Sequence, residues 1–318
     1  MPALFISHSD CGRHDTGWNH PEHVGRLRAI TRALRDHPEL FGAVEHREGR
    51  HATPDELALV HDAAYVRQVE AMARAGGGRL DADTVTSEGS WDAATAAAGC
   101  VLDAVDEALG GGVARAFCAV RPPGHHALRD GAMGFCIFGN VALAASWARR
   151  HHGAERVLIV DWDVHHGNGT QALVEHDAGI HFVSMHQWPW YPGTGAVDDR
   201  GRGNVWNVPL PAGLPAERYV AALQHAVDDA TAGFTPDLVL VSAGFDSLRG
   251  DPLGGFTLEL DDVARLTRFL VERAEQWCGG RIVSALEGGY APERVGAACV
   301  THLAVLAGIE PPAPDGHA

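Results

Sequence analysis

The chain has 318 residues, 46% of them hydrophobic and 21% charged, and a formal charge of 25 − 41 = −16. That balance suits a globular α/β chain with a sizeable core; the acidic surplus disfavours nucleic acid as a partner, and no apolar run approaches the length of a membrane span. The N-terminal MPALFISHSDCGRHD lacks the basic start and long apolar stretch of a signal peptide, so a cytoplasmic location is expected.

All 25 Lys+Arg positions are arginine, so the chain cannot be regulated by acetylation of its own lysine side chains. The six cysteines, Cys11, Cys100, Cys118, Cys136, Cys278 and Cys299, form no CxxC pair and sit largely in apolar surroundings. They read as reduced, buried thiols and not as a disulfide frame. Short glycine runs at 76–78 and 110–112 are too brief to be linkers. One domain is expected over 1–310, with 311–318 as a disordered tail.

In chain order, strand-like runs fall near 3–7, 114–120, 156–161, 180–185, 204–208, 237–243 and 281–286. RVLIVD and PDLVLVSA are continuous and β-branched, as in strands buried on both faces. Between the runs, Ser90 to Leu109 reads as an Ala-rich amphipathic helix. Leu260 to Trp277 reads as another, with Val263, Leu266, Phe269 and Leu270 on its apolar side. Alternating β and α predicts a parallel sheet with helices on both faces, and such sheets bind ligands beyond the carboxyl ends of their strands. Four of the predicted strands run into polar clusters there: RPPGHHA, DWDVHHGNG, AGFDS and EGGY. These clusters are expected to converge on one site.

Leaving a strand with period two, Asp161, Asp163 and His165 fall on one side. Asp163 and His165 can then reach one metal ion, with Asp246 of AGFDS as third ligand and an open fourth position. Two carboxylates and one imidazole suit zinc, and also iron(II) or cobalt. The bland alternative is that the two acids cap a turn. His125 and His126 follow a Pro-Pro-Gly turn at a strand end, a position for a general base and acid. Tyr290, after two glycines, is either a packed turn residue or a phenol that donates to an oxyanion.

RPPGHHA, GFCIFGN, DWDVHHGNGTQ, the SAGFDS and GDPLGG pair, and EGGY, in this order, resemble the zinc-dependent histone deacetylase family. The resemblance is to its class II and bacterial amidohydrolase or acetylpolyamine-amidohydrolase branches in particular. HDTGWNHPEHVGRLRAI resembles the opening loop of that family, and the match runs from about residue 5 to 306. It implies the arginase–deacetylase fold, an open, mostly parallel eight-stranded α/β sheet. It implies zinc on Asp163, His165 and Asp246, and His126 as base and then acid, with His125 as its electrostatic partner. Asp161 would orient His125, and Asn168 would orient His126. Tyr290 would polarise the acyl carbonyl. Phe135 and Tyr191 would wall an acyl tunnel, with Gly134 against the substrate stem, Asp83 gripping a substrate amide and Leu253 over the mouth. A structural potassium ion would use Asp161, Asp163, His165 and Ser184.

Departures from the family pattern spare every one of these ligands and catalytic groups. Gly139 replaces an amide, Ala291-Pro292 follows Tyr290, and Trp190-Tyr191 stand where a Phe pair is common, making a narrower, more polar rim. The activity implied is deacylation of an acylated amine, acetyl-lysine or smaller, with acetylpolyamine hydrolysis as the alternative. A non-catalytic acyl-lysine binding protein is a second alternative, and a two-metal ureohydrolase is disfavoured because AGFDS offers one Asp and not DxD. The substrate and a second copy of the chain are the partners considered.

Overall fold

A computed structural model describes residues 3–312. Most of the tail predicted to be disordered, residues 313–318, lies outside the described residues. The strands are β1 Ala3–Ser7, β2 Glu45–Glu48, β3 Gly77–Arg79, β4 Val85–Ser87, β5 Arg115–Cys118, β6 Val157–Asp161, β7 Ile180–Gln187, β8 Val205–Leu210, β9 Leu238–Ala243 and β10 Ile282–Leu286. Eight of them form one sheet in the order β2-β1-β5-β10-β9-β6-β7-β8, and every neighbouring pair is parallel. Strands β3 and β4 make a separate antiparallel hairpin.

Side chains alternate between two cores. Phe5, Phe117, Leu158, Val160, Val239 and Val241 enter one cluster, and Leu4, Ile6, Ala116, Ile159, Leu240 and Val283 the other. Helices cover both, as a sheet apolar on both faces requires. All seven strands read from the sequence are present. The eighth, β2, carries Glu-His-Arg-Glu and lies at the sheet edge, so it has no apolar run to betray it.

The helix Ser90–Gly110 departs from the amphipathic reading, being buried on nearly every side. Its alanines let it lie between the sheet and a third cluster containing Leu57, Val69, Trp91 and Phe138. Leu260–Cys278 keeps its predicted period: Val263, Leu266 and Leu270 are buried, Phe269 partly so. All six cysteines are buried and free. The four strands with polar ends, β5, β10, β9 and β6, are consecutive in the sheet. Four chain exits therefore meet at the carboxyl ends of the four central strands.

Candidate active site

Beyond β6 the backbone continues its alternation for four residues. Trp162 and Val164 enter the first core, whereas Asp161, Asp163 and His165 turn to the other side. His165 Nδ1 lies 3.0 Å from Asp163 Oδ1 and 3.3 Å from Asp246 Oδ2. Asp246 Oδ1 accepts from Val164 N at 2.8 Å, and Asp163 Oδ2 accepts from Gly288 N at 2.8 Å. Asp246 Oδ2 is buried with no hydrogen bond of its own. A cation held with His165 is the natural remedy for such an atom. A Cβ at Gly288 would stand 2.1 Å from that oxygen and 2.5 Å from Asp163 Oδ2, so only glycine leaves the space open.

Charge in this cluster follows from proximity. Burial raises the Asp246 carboxyl and the neighbouring Asp163 raises it further, to about 7. Burial disfavours charge on His165, yet Asp163 and Asp246 outweigh it and lift the imidazole to about 10. A proton or a cation satisfies the same three atoms. Among the described residues two other groups of donors lie close enough to share an ion: His8, Asp10 and His51, and His125, Cys136 and Glu287. Asp163, His165 and Asp246 are the group with a member on the central cavity wall and an unpartnered buried oxygen.

The two adjacent histidines are set to opposite charge states. His125 Nδ1–H donates to Asp161 Oδ2 at 2.9 Å; burial lowers its basicity, but Asp163 and Asp161 together hold it well above the usual histidine range. His126 Nδ1–H donates to Asn168 Oδ1 at 2.7 Å, which leaves Nε2 as the free base. Asn168 Nδ2 in turn donates to Met133 Sδ at 3.4 Å, and this sets the amide's orientation. Burial, and then the positive His125 4.0 Å away between ring centroids, hold His126 well below the ordinary value.

Tyr290 is fastened by its backbone, whose N–H donates to Asp251 Oδ2 at 2.6 Å. Arg26 lies 5.1 Å from the centre of its ring, and Phe135 meets that ring edge-on at 5.8 Å. Among the described residues the phenol makes no hydrogen bond to protein, and Tyr290 faces the cavity. Burial pushes its ionisation well above the usual range, so it stays a donor.

His126, His165 and Tyr290 together line one cavity of about 220 Å³, with Gly134, Phe135, Asp83, Trp190, Tyr191 and Leu253 as its remaining walls. Gly134 has φ +56°, and a Cβ there would stand 2.3 Å from the His126 ring. Phe135 follows at φ +68°, a left-handed conformation that costs a non-glycine residue about 1–3 kcal/mol. The hairpin tip holds this turn: Gly134 N donates to Asp83 Oδ1 and Phe135 N to Thr84 Oγ1, both at 3.0 Å. Asp83, expected to grip a substrate amide, also has partners within the protein. Its oxygens serve the cavity wall, Oδ2 accepting from the Tyr191 hydroxyl at 3.0 Å. Of the expected potassium ligands, Ser184 pairs in register with Asp161, and its hydroxyl meets His186 Nδ1 at 3.1 Å.

Supporting residues escaped the sequence reading. Glu287 Oε2 accepts from Gly124 N at 2.6 Å and His125 N at 3.1 Å, anchoring the histidine turn. Burial lifts its carboxyl to about 7. Glu22 is fully buried and paired with Arg121 (2.7 and 2.8 Å) and Arg26 (3.1 Å). Arg26 also donates to Gly289 O at 2.6 Å and to Glu287 O, tying that ion cluster to the Tyr290 turn. The available signal was Glu22 and Arg26 at i, i+4 and the leading letters of EGGY and RPPGHHA.

Residues 20–306 match the family described as the histone deacetylase domain. The chain is 40% identical over 275 residues to the histone deacetylase-like amidohydrolase of Pseudomonas aeruginosa, covering 85% of this chain and 71% of that protein. It is 38% identical over 335 residues to the human polyamine deacetylase HDAC10, covering 98% of this chain and 49% of that longer protein. Among solved structures, the HDA15 HD domain superposes with a TM-score of 0.90 at 36% identity, covering 99% of this chain and 90% of that one.

Proposed function

The chain belongs to the histone deacetylase family, and on that footing we propose that it is a zinc-dependent deacylase acting on acetyl-lysine-type or smaller acylated amines. The reading is carried by one cavity that His126, His165 and Tyr290 line together. Asp163, His165 and Asp246 would hold the metal; zinc is proposed, and iron(II) or cobalt suits the same donors. When bound, a divalent cation supplies a Lewis acid to the acyl carbonyl and makes water more acidic. His126 Nε2, kept neutral by burial and by His125, takes the proton from water and returns it to the leaving amine. His125 stays protonated against Asp161. The free Tyr290 phenol donates to the oxyanion.

A structural potassium ion near Asp161, Asp163, His165 and Ser184 is part of the same reading, since the Asp161 carboxylate and Ser184 hydroxyl lie on paired positions and keep spare lone pairs. No helix among the described residues is long and apolar enough to cross a membrane, and a cytoplasmic site of action is proposed. Metal analysis with turnover of an acetyl-lysine fluorogenic peptide tests the whole. One equivalent of zinc and turnover lost on chelation are expected. Turnover that survives metal removal overturns the metal role, and peptide binding without turnover favours a non-catalytic acyl-lysine binder.

The Asn168 contact makes a signed prediction. A carboxylate in place of the amide favours imidazolium at His126, so Asn168→Asp should raise its pKa. The acidic limb of the pH profile of kcat/KM then moves upward. A limb that stays or moves down breaks the assignment of His126 as base.

Leu253 bears on the polyamine alternative. It lines the cavity mouth, and its carbonyl accepts from Trp190 Nε1 at 2.9 Å. A carboxylate there would attract the second amine of an acetylpolyamine by about 1–4 kcal/mol at ~4 Å. Leu253→Glu is expected to raise kcat/KM for acetylpolyamines severalfold relative to a neutral acetyl-lysine peptide, with added salt erasing part of the gain. A wild-type preference of about tenfold for acetylpolyamines would instead transfer the chain to the polyamine reading.

A further inference from the structure

Among the described residues Asp83 is the one carboxylate lining this cavity, and the protein already engages it. Oδ1 accepts from Gly134 N at 3.0 Å and from Thr84 Oγ1 at 2.8 Å, and Oδ2 from the Tyr191 hydroxyl at 3.0 Å. Both oxygens are thus engaged, and the one donor on Oδ2 among the described residues is the Tyr191 hydroxyl, so a substrate N–H approaching that oxygen competes with the phenol. Burial, and then Asp83 itself, push the Tyr191 phenol above its usual range, so the hydroxyl remains a donor. The Tyr191 ring meets His126 at 5.2 Å and His165 at 5.9 Å between centroids, both nearly perpendicular. One end of this side chain therefore touches the reacting groups and the other closes on the hairpin tip.

The preceding residue is tied on the opposite side, Trp190 Nε1 donating to Leu253 O. Behind them, Thr194 Oγ1 meets His166 Nδ1 at 2.8 Å and His186 Nε2–H donates to Gly195 O at 2.8 Å. Residues 190–191 thus form a bridge across the mouth, pinned at both ends and from below.

We propose that the Tyr191 hydroxyl is a specificity latch: by occupying Asp83 it withholds that carboxylate from the backbone N–H of a peptide substrate, and so favours acylated amines that carry no peptide backbone. The inference rests on the deacylase reading for its substrate class. A small amide such as N-acetylbutylamine needs only the tunnel, whereas an acetyl-lysine peptide must compete with the phenol for Asp83. A phenylalanine would keep the ring contacts with His126 and His165 and release the carboxylate.

Calorimetric binding in a Tyr290→Phe background tests this without relying on turnover. Tyr191→Phe should tighten an acetyl-lysine peptide relative to N-acetylbutylamine by about 3–10-fold, the scale of one modest hydrogen bond. Asp83→Asn added to Tyr191→Phe should cancel that relative gain, since the pair acts as a unit. A peptide-to-amide affinity ratio that stays constant or falls in Tyr191→Phe overturns the latch, as does a gain that survives loss of the Asp83 charge. Wild-type turnover reports separately on the activity. A chain that cleaves neither compound, yet binds peptide more tightly once Tyr191 is Phe, would sink the deacylase reading and leave the latch standing.

Discussion

Asp246→Asn is expected to purify folded, to hold well under one metal equivalent per chain after dialysis, and to lose its deacylase activity. The substitution separates the two oxygens of one carboxylate. Oδ1 accepts from Val164 N, and an asparagine oxygen can keep that bond. Oδ2, the buried atom without a hydrogen bond, becomes an NH₂ that faces His165 and cannot bind a cation. Losing an outer partner of a metal ligand already costs about 10–100-fold in affinity, and losing a ligand should cost more. Stability should not fall in parallel. Asp246 stands beside Asp163 and Asp251, and this crowding helps burial to raise its carboxyl. Replacing it with a neutral group relieves that repulsion, so the metal-free variant should melt no lower than the metal-free wild type. Elemental analysis and thermal melts check both halves. A variant that retains one equivalent of zinc removes Asp246 from the ligand set.

Tyr290→Phe is expected to lower kcat by roughly 10²–10³-fold with KM little changed, the magnitude for losing one preorganised oxyanion donor. The ring should not move. Its backbone is held by Asp251, and its faces and edges by Arg26 and Phe135, none of which needs the hydroxyl. Only the phenol O–H is lost, and among the described residues it has no other partner. Steady-state kinetics on the acetyl-lysine peptide decide the matter. A rise in KM with kcat intact would make Tyr290 a substrate-binding group and leave the oxyanion to other donors.

The readable parts of this protein are those where one local rule operates. Strands buried on both faces must be apolar throughout, so seven of the eight sheet strands appear in the sequence, and the polar edge strand β2 does not. The alternation that sends Val160, Trp162 and Val164 into the core leaves Asp161, Asp163 and His165 on the other side, and it can be counted along the chain. The neutral partner of His126, Asn168, cannot be counted in this way and is implied only by the family resemblance.

Tertiary structure decided what depends on distance across the chain. That β5, β10, β9 and β6 are neighbours, and hence that their four polar ends meet, follows from strand order. Glu287 supports the histidine turn from 162 residues away, and Arg26 reaches the Tyr290 turn from across the whole chain. Neither pairing leaves a periodic trace, because a buried ion cluster is set by shape and desolvation and not by spacing. Asp83 is the sharpest case. The family resemblance implies a group reaching for substrate, and only the fold shows that Gly134, Thr84 and Tyr191 also lie within hydrogen-bonding distance of it. A carboxylate has few acceptor directions, so which neighbours arrive first decides what it is free to bind.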